Sequence, residues 1–179
     1  MSTAANFTPR YTVDDYLHWK GDWELWNGIA IAMTPSPFGR HQNILAGLLT
    51  SLRVAIDQQG CRATALSELD WIVSDDTVVR PDVVVICGDA PDKHLESPPA
   101  LVAEVLSPST RQNDLTFKRD LYASQRVGIY LILDPESQTF EHLQLTASGN
   151  YEPADAATRL TFRVCDDCVI QVDADRLFA

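Results

Sequence analysis

Apolar residues change their spacing several times along this chain, and each change marks an element. Between Arg40 and Gln59 the residues Ile44, Leu45, Leu48, Leu49, Leu52 and Ile56 recur three or four apart, which predicts an amphipathic helix that Gly60 stops. His41 lies four before Leu45 and seven before Leu48, so it prolongs the buried stripe of that helix. A histidine there suits either a packed core position or the wall of a cleft. Upstream, Thr12 followed by Asp15 has capping-box spacing and opens a short helix running to about Trp19. Trp23 to Ile31 reads as strand, Asn27-Gly28 turn and strand, a type I′ hairpin pairing Trp26 with Ile29 and Glu24 with Ile31. From Cys61 to Ile86 alternation with an Asp75-Asp76 turn predicts a meander of strands. Leu101–Leu106 and Tyr130–Leu133 read as buried strands and Thr139–Leu145 as an alternating one. Between them a helix over 113–126 is expected, capped by Asn113 or Asp114, with Leu115, Leu121 and Tyr122 toward the core. Breaks fall at Pro35-Ser36-Pro37, at 88–99 and at Ser107-Pro108-Ser109, and from Ala147 onward the pattern weakens into turns and short strands.

One residue violates its surroundings. Glu104 sits inside Leu101-Val102-Ala103-Glu104-Val105-Leu106, and Pro81-Asp82 leads a second apolar run, Val83-Val84-Val85-Ile86. An ionised carboxylate in a buried strand costs several kcal/mol, comparable to the roughly 5–15 kcal/mol that holds a whole domain folded, unless a cation or donors meet it. Two such acids on neighbouring core strands suggest a metal site. Glu24, facing the same side as Trp26 and Ile31 in the hairpin, is a third acid aimed at apolar surroundings.

With 179 residues, 45% hydrophobic and 22% charged, the chain is expected to form one soluble domain, with a core over about 11–145 and a short C-terminal β extension at 147–179. Met1 to Pro9 has no signal-peptide pattern and no apolar run approaches membrane-spanning length, so a cytoplasmic protein without a membrane partner is expected. In that compartment Cys61, Cys87, Cys165 and Cys168 are expected as reduced thiols. Cys165-Asp166-Asp167-Cys168 has metal-knuckle spacing but no second pair to complete a zinc site, and a turn between two strands accounts for it. The net charge of −11 argues against non-specific affinity for nucleic acid, which draws on Lys and Arg. Arg111, Lys118, Arg119 and Arg126 could form a local basic patch or a solvated helix face.

Pro81-Asp82 followed 22 residues later by Glu104-Val105-Leu106 resembles the PD-(D/E)-x-K nuclease signature. The surrounding phrases, Glu24 before Asn27-Gly28, His41, Arg80-Pro81-Asp82-Val83, Ser107-Pro108-Ser109-Thr110, Asp114, Lys118, Tyr122 and Asp134-Pro135, narrow the likeness over Tyr11 to Leu145. Together they resemble the cyanobacteria-rich family of restriction-endonuclease-like proteins. That resemblance implies an α/β fold with a mixed central sheet between helices. It implies that Asp82, Glu104 and the carbonyl of Val105 hold Mg2+, for which Mn2+ may substitute, and that the catalytic lysine comes from the following helix as Lys118, because Leu106 stands where the signature has lysine. Glu24 would be an outer-shell or second-metal acid, and His41 would line the cleft. The substrate would be DNA, handled by a homodimer, with basic residues gathered at the cleft mouth to meet phosphates.

The residue types suit that chemistry independently. Mg2+ prefers a few carboxylates plus water and phosphate oxygens, and a nearby ammonium can stabilise an oxyanion. Two other readings stay open on the residues alone. Glu104 and Lys118 could be a buried ion pair with Asp82 capping a turn, or the fold could serve as an inactive binding or assembly module. Ser107 and Ser109 lack a histidine–acid pair to activate them, and no phosphate-cradling glycine loop is present.

Overall fold

Thr12 Oγ1 accepts the Asp15 N–H while Asp15 accepts the Thr12 N–H at 2.9 Å, and this capping box opens helix α1 (Val13–Tyr16), shorter than the periodicity predicts. In this computed structural model, which describes residues 9–33, 39–154, 159–165 and 168–178, β1 (Trp23–Trp26) and β2 (Ile29–Ala32) follow. They pair in the expected register, with Asn27 and Gly28 at φ of 47° and 80° supplying the left-handed turn. Next come α2 (Gly39–Gln59), β3 (Ala63–Ser67), β4 (Trp71–Ser74), β5 (Thr77–Val79), β6 (Val83–Cys87) and β7 (Leu101–Val105). A helical segment consists of α3 (Arg111–Asn113), a π turn (Asp114–Lys118) and α4 (Arg119–Ser124). The chain ends with β8 (Ile129–Asp134), β9 (Thr139–Leu145), β10 (Tyr151–Pro153), β11 (Arg159–Val164), β12 (Cys168–Asp173) and a 3-10 turn, Ala174–Arg176. The Pro35-Ser36-Pro37 break lies outside the described residues.

Six strands in the order β10-β9-β8-β7-β6-β3 form the central sheet, mixed because β7 and β8 are parallel and their neighbours antiparallel. Side chains alternate across it. Val83, Val85, Leu101, Ala103 and Val105 face α2 and the β11–β12 hairpin, while Val84, Ile86, Val102, Tyr130 and Ile132 share a core with Tyr122 of α4. Helices thus cover both faces, as expected of the fold class. Glu104 falls on the α4 face with Val102, and this parity decides which helix it meets.

Three expectations are corrected. The 61–86 stretch is not one meander: β5 pairs with β4 and β1 in a separate four-stranded sheet, and β6 joins the central sheet. The chain crosses between them at Arg80-Pro81-Asp82, where Pro81 has no N–H for a ladder. The second helix begins at Arg111 after Thr110, so neither Asn113 nor Asp114 caps it, and Asp114 is instead buried within its π turn. The cysteines are not separate thiols, since Cys61 is bonded to Cys168 and Cys87 to Cys165.

Both bridges tie the ends of the β11–β12 turn to the C-terminal ends of α2 and β6, opposite the ends that carry His41 and Asp82. Closing loops of 107 and 78 residues removes much unfolded-state entropy, about 4.5–5 kcal/mol for the first bridge formed. Reduction should therefore lower the melting temperature by many degrees without abolishing ligand binding at the other pole. Calorimetry of oxidised and reduced protein, with free thiols counted by alkylation and mass spectrometry, checks it.

Candidate active site

The site lies where β7 ends beside parallel β8, with antiparallel β6 starting alongside. Ligands of open α/β sheets collect at such strand ends. Because Val83 is opposite Ala103, the preceding Asp82 comes level with Glu104, and the two are laced together. Val105 donates its N–H to Asp82 Oδ2 at 2.7 Å, and Asp82 donates its N–H to Glu104 Oε2 at 3.3 Å. From the covering helix, Lys118 Nζ and the Tyr122 hydroxyl both donate to Glu104 Oε1, at 3.1 and 2.6 Å. Lys118 also lies 3.1 Å from Glu24 Oε1 and 3.7 Å from Asp114 Oδ1. From the other layer, the first turn of α2 brings His41 Nε2 to 3.3 Å from Asp82 Oδ2.

The π turn explains how one helix serves this cluster. Four α-helical residues overshoot a full revolution by roughly 40°, so positions 114, 118 and 122 would drift apart by roughly twice that. A π turn takes more residues per revolution and undershoots instead, bringing Asp114, Lys118 and Tyr122 back to one face.

Glu24, Glu104, Asp114 and Lys118 are each at most 5% exposed. Burial pushes the Glu104 carboxyl well above the usual carboxylate range, Lys118 pulls it back, and the charges of Asp114 and Asp82 push it up further. Asp114 is raised by burial to about 6, against the pull of Lys118. Burial opposes the Lys118 ammonium, but Glu104, Glu24 and Asp114 outweigh it and hold its pKa well above the ordinary lysine value. For His41, burial is likewise overcome by the hydrogen bond and charge of Asp82, and the Val105 backbone adds to the upward shift. Four carboxylates and one ammonium leave this cluster short of positive charge.

All the expected side chains meet here: Asp82, Glu104, Lys118, Glu24 and His41, with the Val105 backbone beside them. Glu24 is fully engaged, since Oε1 accepts the Arg80 N–H at 2.6 Å and Oε2 the Trp26 Nε1–H at 2.9 Å. Asp114 and Tyr122 are the participants whose role sequence reading misassigned, to a cap and to plain core. Their signal was the 114, 118, 122 spacing around the lysine. A cleft of about 190 Å³ opens above, lined by five acids (Asp22, Glu68, Asp82, Glu104, Asp114) and two cations, Arg80 and Lys118. Basic residues do not gather at its mouth. Arg80 is held by Asp70 at 2.6 Å and Asp22 at 2.9 Å, and Arg111, farther out, by Asp134 at 2.9 Å. Among the described residues no three His, Cys, Asp or Glu side chains are arranged to hold a metal ion by themselves. Two buried atoms among the site's residues have no hydrogen-bond partner, His41 Nδ1 and Asp114 Oδ1.

A mixed sheet covered by helices, with paired acids at the open ends of two adjoining strands, defines a restriction-endonuclease-like fold. Residues 13–169 match the family model Uma2, described as putative restriction endonuclease, and the chain belongs to that family. It is similar to the crystal structure of a putative nuclease belonging to DUF820 from Anabaena variabilis ATCC 29413. That likeness covers 94% of this chain and 97% of the other at 20% identity and a TM-score of 0.74, and it concerns the fold. No curated protein sequence matches. Among the described residues no helix is long and apolar enough to cross a membrane.

Proposed function

We propose that this protein is a divalent-metal-dependent endonuclease hydrolysing phosphodiester bonds in DNA. The observation that carries the reading is the charge deficit at the ends of β6 and β7, where Glu104, Glu24 and Asp114 share one ammonium and Asp82 adjoins Glu104. A hard cation compensates such an excess of oxygen donors at least cost. The fit does not need three side chains: Asp82, Glu104 and the Val105 carbonyl would be the protein donors, and Mg2+ keeps several waters. Asp114 Oδ1 makes no hydrogen bond and has only the Lys118 ammonium, 3.7 Å away, for a partner.

When bound, the ion supplies Lewis acidity and a water of lowered pKa. The protein's own groups do the positioning. Asp82, with its side chain 20% exposed, is more accessible to solvent and substrate than Glu24, Glu104 and Asp114. Lys118 is held charged at the cleft wall, where its ammonium can stabilise a phosphate oxyanion. Glu24 and Tyr122 position it, Glu24 directly and Tyr122 by sharing the Glu104 oxygen. A homodimer would present one site to each strand of a duplex.

The acidic cleft lining favours a second reading, an inactive binding or assembly module, because DNA phosphates would meet more carboxylates than free cations. Incubating purified protein with supercoiled plasmid in Mg2+, Mn2+ or EDTA decides between them. Nicking that requires metal is expected; no cleavage in either metal, together with no metal binding, favours the module.

A further inference from the structure

We infer that a cavity beside the acidic cleft takes the base of an unpaired nucleotide next to the scissile phosphate, so that the substrate is single-stranded or locally opened DNA rather than intact duplex. The inference rests on the nuclease reading above and adds a substrate class to it. Parallel β7 and β8 each run into a proline soon after their last paired residues, Pro108 and Pro135, and proline has no N–H to continue a ladder. The gap between these two turns and the first turn of α2 is a cavity of about 240 Å³. His41 and Ser107 line it and the acidic cleft alike, so the two form one depression at the carboxyl ends of the parallel strands.

The two halves of the depression differ in kind. Five acids line the cleft, whereas Leu106, Pro108 and Pro135 give the cavity apolar walls with one acid, Glu136. A space of this size suits a single flat ring system, and bases taken out of a stack are held between apolar side chains. Arg40 stands exposed at the rim, donating to the Pro135 carbonyl at 3.3 Å. Among the described residues it makes no ion pair, unlike Arg80, Arg111 and Lys118, which carboxylates hold. Arg40 is therefore the cation of this region with charge to spare for a phosphate. Charge also decides the number of strands. Duplex DNA carries one negative charge per about 1.7 Å of axis and one strand alone one per about 3.4 Å, so a single strand meets less repulsion from the five acids. An unpaired base also enters the cavity without the cost of unpairing.

Fluorescence anisotropy of labelled oligodeoxynucleotides on the intact protein in Ca2+, with the cut position on the same strands mapped in Mn2+, tests this. A single strand, and a duplex with a short mismatched bubble, should bind about tenfold or more tighter than the fully paired duplex. When one abasic residue is moved along the single strand, affinity should fall about tenfold only where the missing base lies beside the cut. Arg40→Gln, at an exposed position, should weaken binding of every strand and reduce the slope of log affinity against log salt by about 0.7. Three results overturn the inference and leave the nuclease standing, provided metal-dependent cleavage is seen: equal affinity for duplex and single strand, abasic residues that weaken binding evenly along the strand, or an unchanged salt slope in Arg40→Gln. Failure to cut any strand overturns both.

Discussion

Replacing Lys118 with methionine is expected to destabilise the fold by about 3–5 kcal/mol at pH 7, the usual consequence of removing one member of a buried charge cluster. Methionine matches the stem in shape, so the loss is electrostatic. Glu24, Glu104 and Asp114 would be left buried with no ammonium among them. The sign with pH follows from the direction of their shifts. Glu104 and Asp114 titrate higher in the folded protein than the ordinary carboxylate value, so the folded state binds protons more tightly than the unfolded chain. Their contribution is fully present below the unfolded value, and it is lost as pH rises through the folded ones, for Asp114 between its ordinary 3.8 and about 6. Without Lys118 both values climb further and the window moves up toward neutrality. Urea denaturation of parent and variant at pH 5 and pH 7 should therefore show the penalty shrinking at pH 5. Equal stability of the two proteins at both pH values would mean that the cluster is not balanced on Lys118.

Asp82→Asn should have the largest effect on activity, lowering metal-dependent cleavage about a thousandfold or more by removing a charged ligand from the reacting centre. Its effect on stability should run the other way. Asparagine keeps an oxygen to accept the Val105 N–H, while one negative charge leaves a neighbourhood in which Asp82 pushes the titration of Glu104 and Asp114 upward. The metal-free melting temperature is expected to hold or rise. In the parent, saturating Mn2+ should add about 2.7 kcal/mol at a hundred times the dissociation constant, and the variant should lose that gain. Glu104→Gln separates this from a simple buried ion pair. Lys118 keeps Glu24 and Asp114 as partners, so the cost should be smaller than for Lys118→Met. A parent indifferent to Mn2+, with Glu104→Gln the most damaging change, would return the site to a structural ion pair.

How much of this was legible beforehand varies with the range of the forces involved. The Thr12 cap, the Asn27-Gly28 hairpin with its register and the long helix stopped by Gly60 were readable, because each is decided by residues within a few positions of one another. The placing of Glu104 beside Asp82 was readable too, since two apolar strands carrying one acid each need a shared solution to the same desolvation cost. The second helix was misread for the same reason in reverse. Its start looks like a cap at Asn113 or Asp114, yet the helix already begins at Arg111, and Asp114 is buried within the π turn 3.7 Å from Lys118, a placement set by residues outside the local pattern.

The sequence by itself determined the local elements, the fold class and the family, along with the acids and the lysine that gather at the strand ends. Only the tertiary structure decided the rest. It split the strands between two sheets at Pro81 and paired the four cysteines across 78 and 107 residues. It also drew three carboxylates, Glu24, Glu104 and Asp114, onto one ammonium and left the cleft acidic. These outcomes depend on contacts between residues far apart in the chain, where no spacing rule applies and burial sets the energy of every charge.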